Sequence, residues 1–206
     1  IQIEDNPKIL AAIIATITAL VLSLVPFVYT HCTPDLDERR RLAGGGTTRR
    51  YVQLTCEDGY YSEIASLSLS GEEGVIRHLM SRDNNRFHVP ELVIFAIFYI
   101  PLVVLPMGLK VPCGSFVPNL LIGSLLGRIV GEVTAGITDG GVVAKLISSP
   151  GVYALVGASA MLGAWTRTMI AVVVTLIEIS GDVGLAVPLI ISVIVARQIS
   201  MTIAHN

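Results

Sequence analysis

Apolar and polar positions fall in long blocks along this chain rather than in short alternations. The first block, Ile9–Tyr29, is almost wholly apolar. It has the roughly 20 residues that an α-helix needs to cross a bilayer. Glu4 and Asp5 precede it and Lys8 flanks it. That acidic start and the length of the run fit a transmembrane helix rather than a secretory leader. Pro26 predicts a kink or stop near its end. Thr16, Thr18 and Ser23 can return their hydroxyls to the helix's own carbonyls, so they carry no functional signal. The chain therefore divides into a spanning helix within 1–30, a polar segment over 31–88 and a helical membrane region over 89–206.

The polar segment holds most of the charge, including Asp35 to Arg41 and, after the glycines 44–46, Arg49 and Arg50. Acids interleave with the arginines, which reads as a solvated loop. Ser70 and Glu73 have capping-box spacing, and Val75, Ile76, Leu79 and Met80 recur at helical intervals. That pattern predicts a short amphipathic helix over 71–82.

Beyond it the apolar blocks become shorter and more broken. Glu91–Leu109 is a second span, opened by Pro90 and kinked by Pro101 and Pro106. A third helix runs over Phe116–Glu132, with Gly123, Gly127 and Gly131 at the spacing that lets two helices approach closely. Tyr153–Ile179 carries Arg167 near its middle. A central arginine facing lipid costs at least a few kcal/mol, so the run predicts two helices, Tyr153–Trp165 and Thr168–Ile179, broken at Thr166-Arg167. Gly181–Gly184 turns the chain, and Pro188 opens a last helix to about Ile203. Arg197 near its end is expected to reach the membrane interface. Glu178 is expected to make a structural hydrogen bond or ion pair, with Arg167 as partner. Short, interrupted apolar segments of this kind point to a transporter or channel rather than a simple anchor.

Composition agrees. Mean hydropathy is +0.71 and 52% of residues are hydrophobic. Only 15% are charged, against about 25% in soluble domains. A net charge of −2 gives no footprint for nucleic acid. Cys32 and Cys56 share the polar segment; a disulfide and two free thiols are both compatible with the sequence. His31 beside Cys32 lacks a second histidine at ligand spacing, so no metal site is expected. No cofactor is expected either.

The stretch with chemistry in it is Lys110-Val111-Pro112-Cys113-Gly114-Ser115-Phe116-Val117-Pro118-Asn119. It is a proline-bracketed break between two apolar runs. Unpaired backbone groups at membrane depth cost several kcal/mol, so such a break belongs in protein or beside a wet cavity. Pro118 suits the first turn of a helix. A helix starting near Phe116–Pro118 points the N–H groups of Gly114 to Val117 at whatever lies before it. That is an anion site made of backbone dipoles, without a cationic side chain.

Val111-Pro112-Cys113-Gly114-Ser115-Phe116-Val117-Pro118, followed by Gly123-Ser124-Leu125-Leu126-Gly127-Arg128, resembles a motif of the CLC chloride channels and chloride/proton antiporters. The block Tyr153 to Gly163 resembles that family's next helix. Cys56 to Leu67 is similar to a segment of the intracellular-organelle branch. The resemblance implies an all-α, polytopic membrane fold with kinked, re-entrant and broken helices. It covers the second half of the family's membrane domain. The gating and proton-handling glutamates and the filter serine therefore belong to parts of the fold not represented in these residues. It further implies anion binding at Gly114, Ser115, Phe116 and Val117, with chloride or nitrate and protons as the transported species. A homodimer in an organelle bilayer such as vacuole, lysosome or endosome is implied as well. Antiport is the expected mode, and these 206 residues alone are expected to be inactive. Ser115 departs from the usual leucine or isoleucine, and Cys113 from a common serine.

A second reading is enzymatic. Gly157-Ala158-Ser159-Ala160 and Ala204-His205 are similar to the serine and histidine motifs of rhomboid proteases. A buried serine–histidine dyad is physically possible. However, Ala160 replaces the usual glycine, the first-loop pattern is missing, and the motif at Gly114–Pro118 is left without a role. The chain is thus expected not to be an enzyme.

Overall fold

The computed structural model describes residues 7–29, 31–34, 54, 56, 60–81, 88–107, 114–137 and 149–204. Their architecture is all-α apart from one short ribbon. In order they form α1 (Pro7–Val28), β1 (Cys32–Pro34), β2 (Tyr60–Ser62), α2 (Glu63–Ser68), α3 (Glu72–Leu79), α4 (Val89–Met107), α5 (Phe116–Ile137), α6 (Pro150–Thr166), α7 (Ile170–Ser180), a 3-10 turn (Val183–Leu185) and α8 (Ala186–Ala204). Among the described residues four stretches are long and apolar enough to cross a membrane: Ala11–Val28, Val89–Met107, Phe116–Gly136 and Val183–Ala204. The expected spans are all present, and α5 runs five residues further than the expected Glu132.

The chain forms two compact units, one of Ile1–Val75 with Ile97–Cys113 and one of Ile76–Ala96 with Gly114–Asn206. In the first unit α1 packs on α2. The hydroxyls of Thr16, Thr18 and Ser23 bond back to the carbonyls of Ala12, Ala15 and Leu20, as expected of apolar-helix threonines and serines. β1 and β2 pair antiparallel, with Cys32 opposite Ser62 and Pro34 opposite Tyr60. Cys32 is bonded to Cys56, with their Cα atoms 5.9 Å apart. That decides between the two options left open by the sequence. Ser62 then starts α2. Its Oγ accepts the Ala65 N–H at 3.3 Å, and its carbonyl accepts the Ser66 hydroxyl at 2.8 Å. Ile64, Ala65 and Leu67 are buried. Neither the ribbon nor α2 was expected.

The amphipathic helix α3 is shorter than 71–82. The Gly71 carbonyl accepts the Val75 N–H at 3.1 Å, so the cap is Gly71 and not Ser70. The expected capping-box register is out by one residue.

In the second unit α6 lies between α5 and α8. The contact with α5 is a glycine seam. A Cβ added at Gly123 would stand 2.6 Å from the Gly157 carbonyl oxygen and 2.8 Å from Ala158 Cα. Gly127 and Gly131 meet the backbones of Tyr153 and Pro150 in the same way. The helices therefore touch backbone to backbone, which is the close packing that the glycine spacing predicts. On its other face α6 meets α8. There Gly163 abuts Val193, Ser159 Oγ pairs with Ser192 Oγ, and Ser200 Oγ donates to the Ala164 carbonyl at 3.3 Å. Leu120, Leu121, Leu125, Leu155, Leu162 and Leu189 fill the core between them.

The break after α6 stands at Arg167, where the lone charge in the apolar run predicts it. Arg167 is exposed and left-handed, with φ 57°, and ends α6. Gly181, with φ 68°, ends α7 and donates its N–H to the Ile177 carbonyl at 2.8 Å. The left-handed region suits glycine far better than arginine. Asp182 Oδ1 accepts the Gly184 N–H at 2.9 Å, opening the turn into α8.

Candidate functional site: the start of helix α5

The sequence places proline at the third position of α5, where an N–H is absent without loss. Ser115 is the cap residue. Its carbonyl accepts both the Asn119 backbone N–H at 3.3 Å and Asn119 Nδ2 at 2.7 Å. With Pro118 lacking a donor and Asn119 satisfied, the unspent donors of the first turn are the N–H groups of Phe116 and Val117. No acceptor among the described residues takes either. The end of a helix carries about half a positive charge, shared over such groups. Phe116 is 39% exposed and Gly114 is exposed as well. A Cβ at Gly114 would meet no atom of the described residues within 4 Å, and its φ is not left-handed. Packing among the described residues therefore does not demand a glycine there. Lys110–Cys113 lie outside the described residues.

Four expected anion-binding residues, Gly114, Ser115, Phe116 and Val117, thus stand in one run at a helix start whose first two amides find no acceptor among the described residues. A fifth residue joins them that the sequence did not flag. Trp165, on the last turn of α6, donates its indole Nε1–H to Ser115 Oγ at 3.1 Å.

The model of the family described as voltage gated chloride channel matches residues 2–201. The chain belongs to the voltage gated chloride channel family. Chloride channel protein A of Dictyostelium discoideum is 31% identical over 151 residues, covering 73% of this chain and 16% of that protein. Chloride channel protein CLC-c of Arabidopsis thaliana is 31% identical over 178 residues, 85% of this chain and 21% of that protein. H(+)/Cl(-) exchange transporter 7 of Homo sapiens is 29% identical over 188 residues, 91% of this chain and 22% of that protein. The chain therefore spans about a quarter or less of the length of these relatives. With four stretches apolar enough to span, it is an integral membrane segment of this family.

The family motif continues into a residue with a second role. Arg128 is fully buried in α5. Its Nε donates to Glu132 Oε1 at 3.0 Å, and its Nη1 to the carbonyls of Leu79 at 3.1 Å and Ser81 at 2.6 Å. It ties the C-terminal end of α3 to the middle of α5. Gly151 presses the same turn from α6, since a Cβ there would stand 2.7 Å from the Met80 carbonyl oxygen. An arginine and a glutamate at i,i+4 in an apolar helix are the signal that could have found this clamp.

Other sequence readings are corrected by this family member's structure. Glu178 is exposed and makes no ion pair with Arg167, which is exposed at the other end of α7. An 11-residue helix separates the ends, so the two cannot meet. Arg197 Nη1 donates to Met169 Sδ at 3.4 Å. Ser159 donates to the Val156 carbonyl at 2.7 Å and pairs with Ser192. Its hydroxyl is thus engaged within the packing of α6 on α8. His205 lies outside the described residues.

Proposed function

We propose that these residues form one wall of an anion path across a membrane. The Phe116 and Val117 amides bind the ion, and Gly114 and Ser115 line it. The observation that carries this reading is the pair of unspent N–H donors at the start of α5 in a chain of this family. Neutral amides replace part of an anion's hydration without holding it as tightly as a fixed cation would. The open surroundings of Gly114 leave room for an ion where a side chain would intrude. Chloride is the ion, with nitrate as the competing monovalent species.

The mode is exchange of chloride for protons in the complete protein. The support is the likeness to H(+)/Cl(-) exchange transporter 7, which extends over 91% of this chain. The setting is an organelle membrane, with the complete protein a homodimer. A lumenal, oxidising setting for Cys32 and Cys56 is supported by the bond between them.

The test is anion flux through the complete protein in liposomes. Val117→Pro removes one amide donor at a helix position that tolerates proline, and Gly114→Leu fills the open space. Both are expected to reduce chloride flux by at least tenfold. Wild-type flux in both variants would reject the site.

A further inference from the structure

Trp165 is the residue that the anion-path reading leaves unused. Its bond to Ser115 joins positions 50 apart in sequence and links the end of α6 to the start of α5. A serine at a helix cap ordinarily turns its oxygen to the N–H of the second or third helical residue. The third residue here is Pro118, which has none. Ser115 Oγ takes the indole N–H instead. A hydroxyl offers one proton and two lone pairs. With one lone pair given to Trp165, the Ser115 proton remains to be donated.

Both partners are held from behind. The Ser115 carbonyl is gripped twice by Asn119, through its backbone N–H and its Nδ2. The helix end that carries Trp165 is fixed to α8, where Ser200 Oγ donates to the Ala164 carbonyl and Gly163 abuts Val193. The indole is therefore presented by a braced helix terminus and not by a free loop.

We propose that Trp165 is a positioning residue for the anion motif. Its indole fixes the Ser115 hydroxyl so that the Ser115 O–H joins the Phe116 and Val117 amides as a third donor to a small monovalent anion. The proposal rests on the anion-path reading above. It also gives the serine at this position a role that an aliphatic side chain could not fill, since an aliphatic side chain could not accept the indole N–H.

The experiment compares nitrate and chloride flux through the complete protein in liposomes and reads their ratio. The ratio does not depend on how much protein folds or inserts. Ser115→Ala removes the acceptor, and Trp165→Phe removes the donor while keeping a ring. Each is expected to shift the ratio by about three- to tenfold, the range of one lost hydrogen bond. The double variant is expected to shift it no further than either single variant, because the same interaction is lost once. An additive double variant would overturn the coupling. An unshifted ratio in both singles, beside a shifted one in Val117→Pro, would overturn the role of Trp165 and leave the site standing. No shift in Val117→Pro either would overturn the site and the positioning role together.

Discussion

Arg128 Nη2 lies 2.9 Å from Glu132 Oε1, one turn apart on α5, and both side chains are buried. The same guanidinium holds the carbonyls of Leu79 and Ser81. Removing one partner of a buried pair leaves the other charge unpaired, at a cost of about 3–5 kcal/mol. Arg128→Met is expected to lower the thermal unfolding midpoint in detergent sharply. Arg128→Lys is expected to recover little, because an ammonium lacks the planar fork that serves three acceptors. The paired change Arg128→Met with Glu132→Leu is expected to recover part of the loss. A melt unchanged by Arg128→Met would show that the clamp does not hold the fold.

The glycine seam makes a second, oppositely signed pair of expectations. At Gly123 even a methyl group would collide with the Gly157 and Ala158 backbone. Gly123→Ala is expected to destabilise by about 1–3 kcal/mol through overpacking. Gly136, on the same helix, would place a Cβ in open space. Gly136→Ala is expected to be neutral or to stabilise by about 0.5–1 kcal/mol. Equal melts for the two variants would contradict the packing of α5 on α6.

The spans and the break at Arg167 were legible because hydropathy and a lone charge in an apolar run are local signals. The α5 start was legible for the same reason: glycine, then proline in the first turn, marks uncapped amides within five residues. What escaped was non-local. Arg128 bonds to backbone carbonyls 49 and 47 positions away, and a carbonyl has no side-chain signature. Trp165 reaches Ser115 across 50 positions, and nothing local to either residue announces the pair. The ribbon of β1 and β2 has only three residues a side, too few for an alternating pattern. Glu178 was assigned a partner by charge alone, and the length of α7 rules that partner out.

The disulfide gives a direct chemical test. Cys32 and Cys56 close a 24-residue separation, for which the chain-entropy estimate is about 3.5 kcal/mol. In denatured, unreduced protein purified from its native membrane, peptide mapping of the three cysteines within these residues is expected to find only Cys113 labelled by a maleimide reagent. All three are expected to react after reduction. Three reactive thiols before reduction would remove the bond and, with it, the lumenal placement of residues 32–56.

The last expectation concerns these 206 residues by themselves. The start of α5 offers two amides and a hydroxyl on one side of an open space. An ion stripped of water needs partners on all sides, or it pays much of its hydration energy back. The relatives are at least about four times the length of the matched region, so the opposing groups have room to come from elsewhere in such a protein. The isolated chain, reconstituted in liposomes, is therefore expected to carry no selective chloride flux. The complete protein is expected to carry flux that Val117→Pro lowers. Selective flux through the isolated chain would mean that the path is closed by these residues alone, and the reading of α5 as one wall among several would have to be given up.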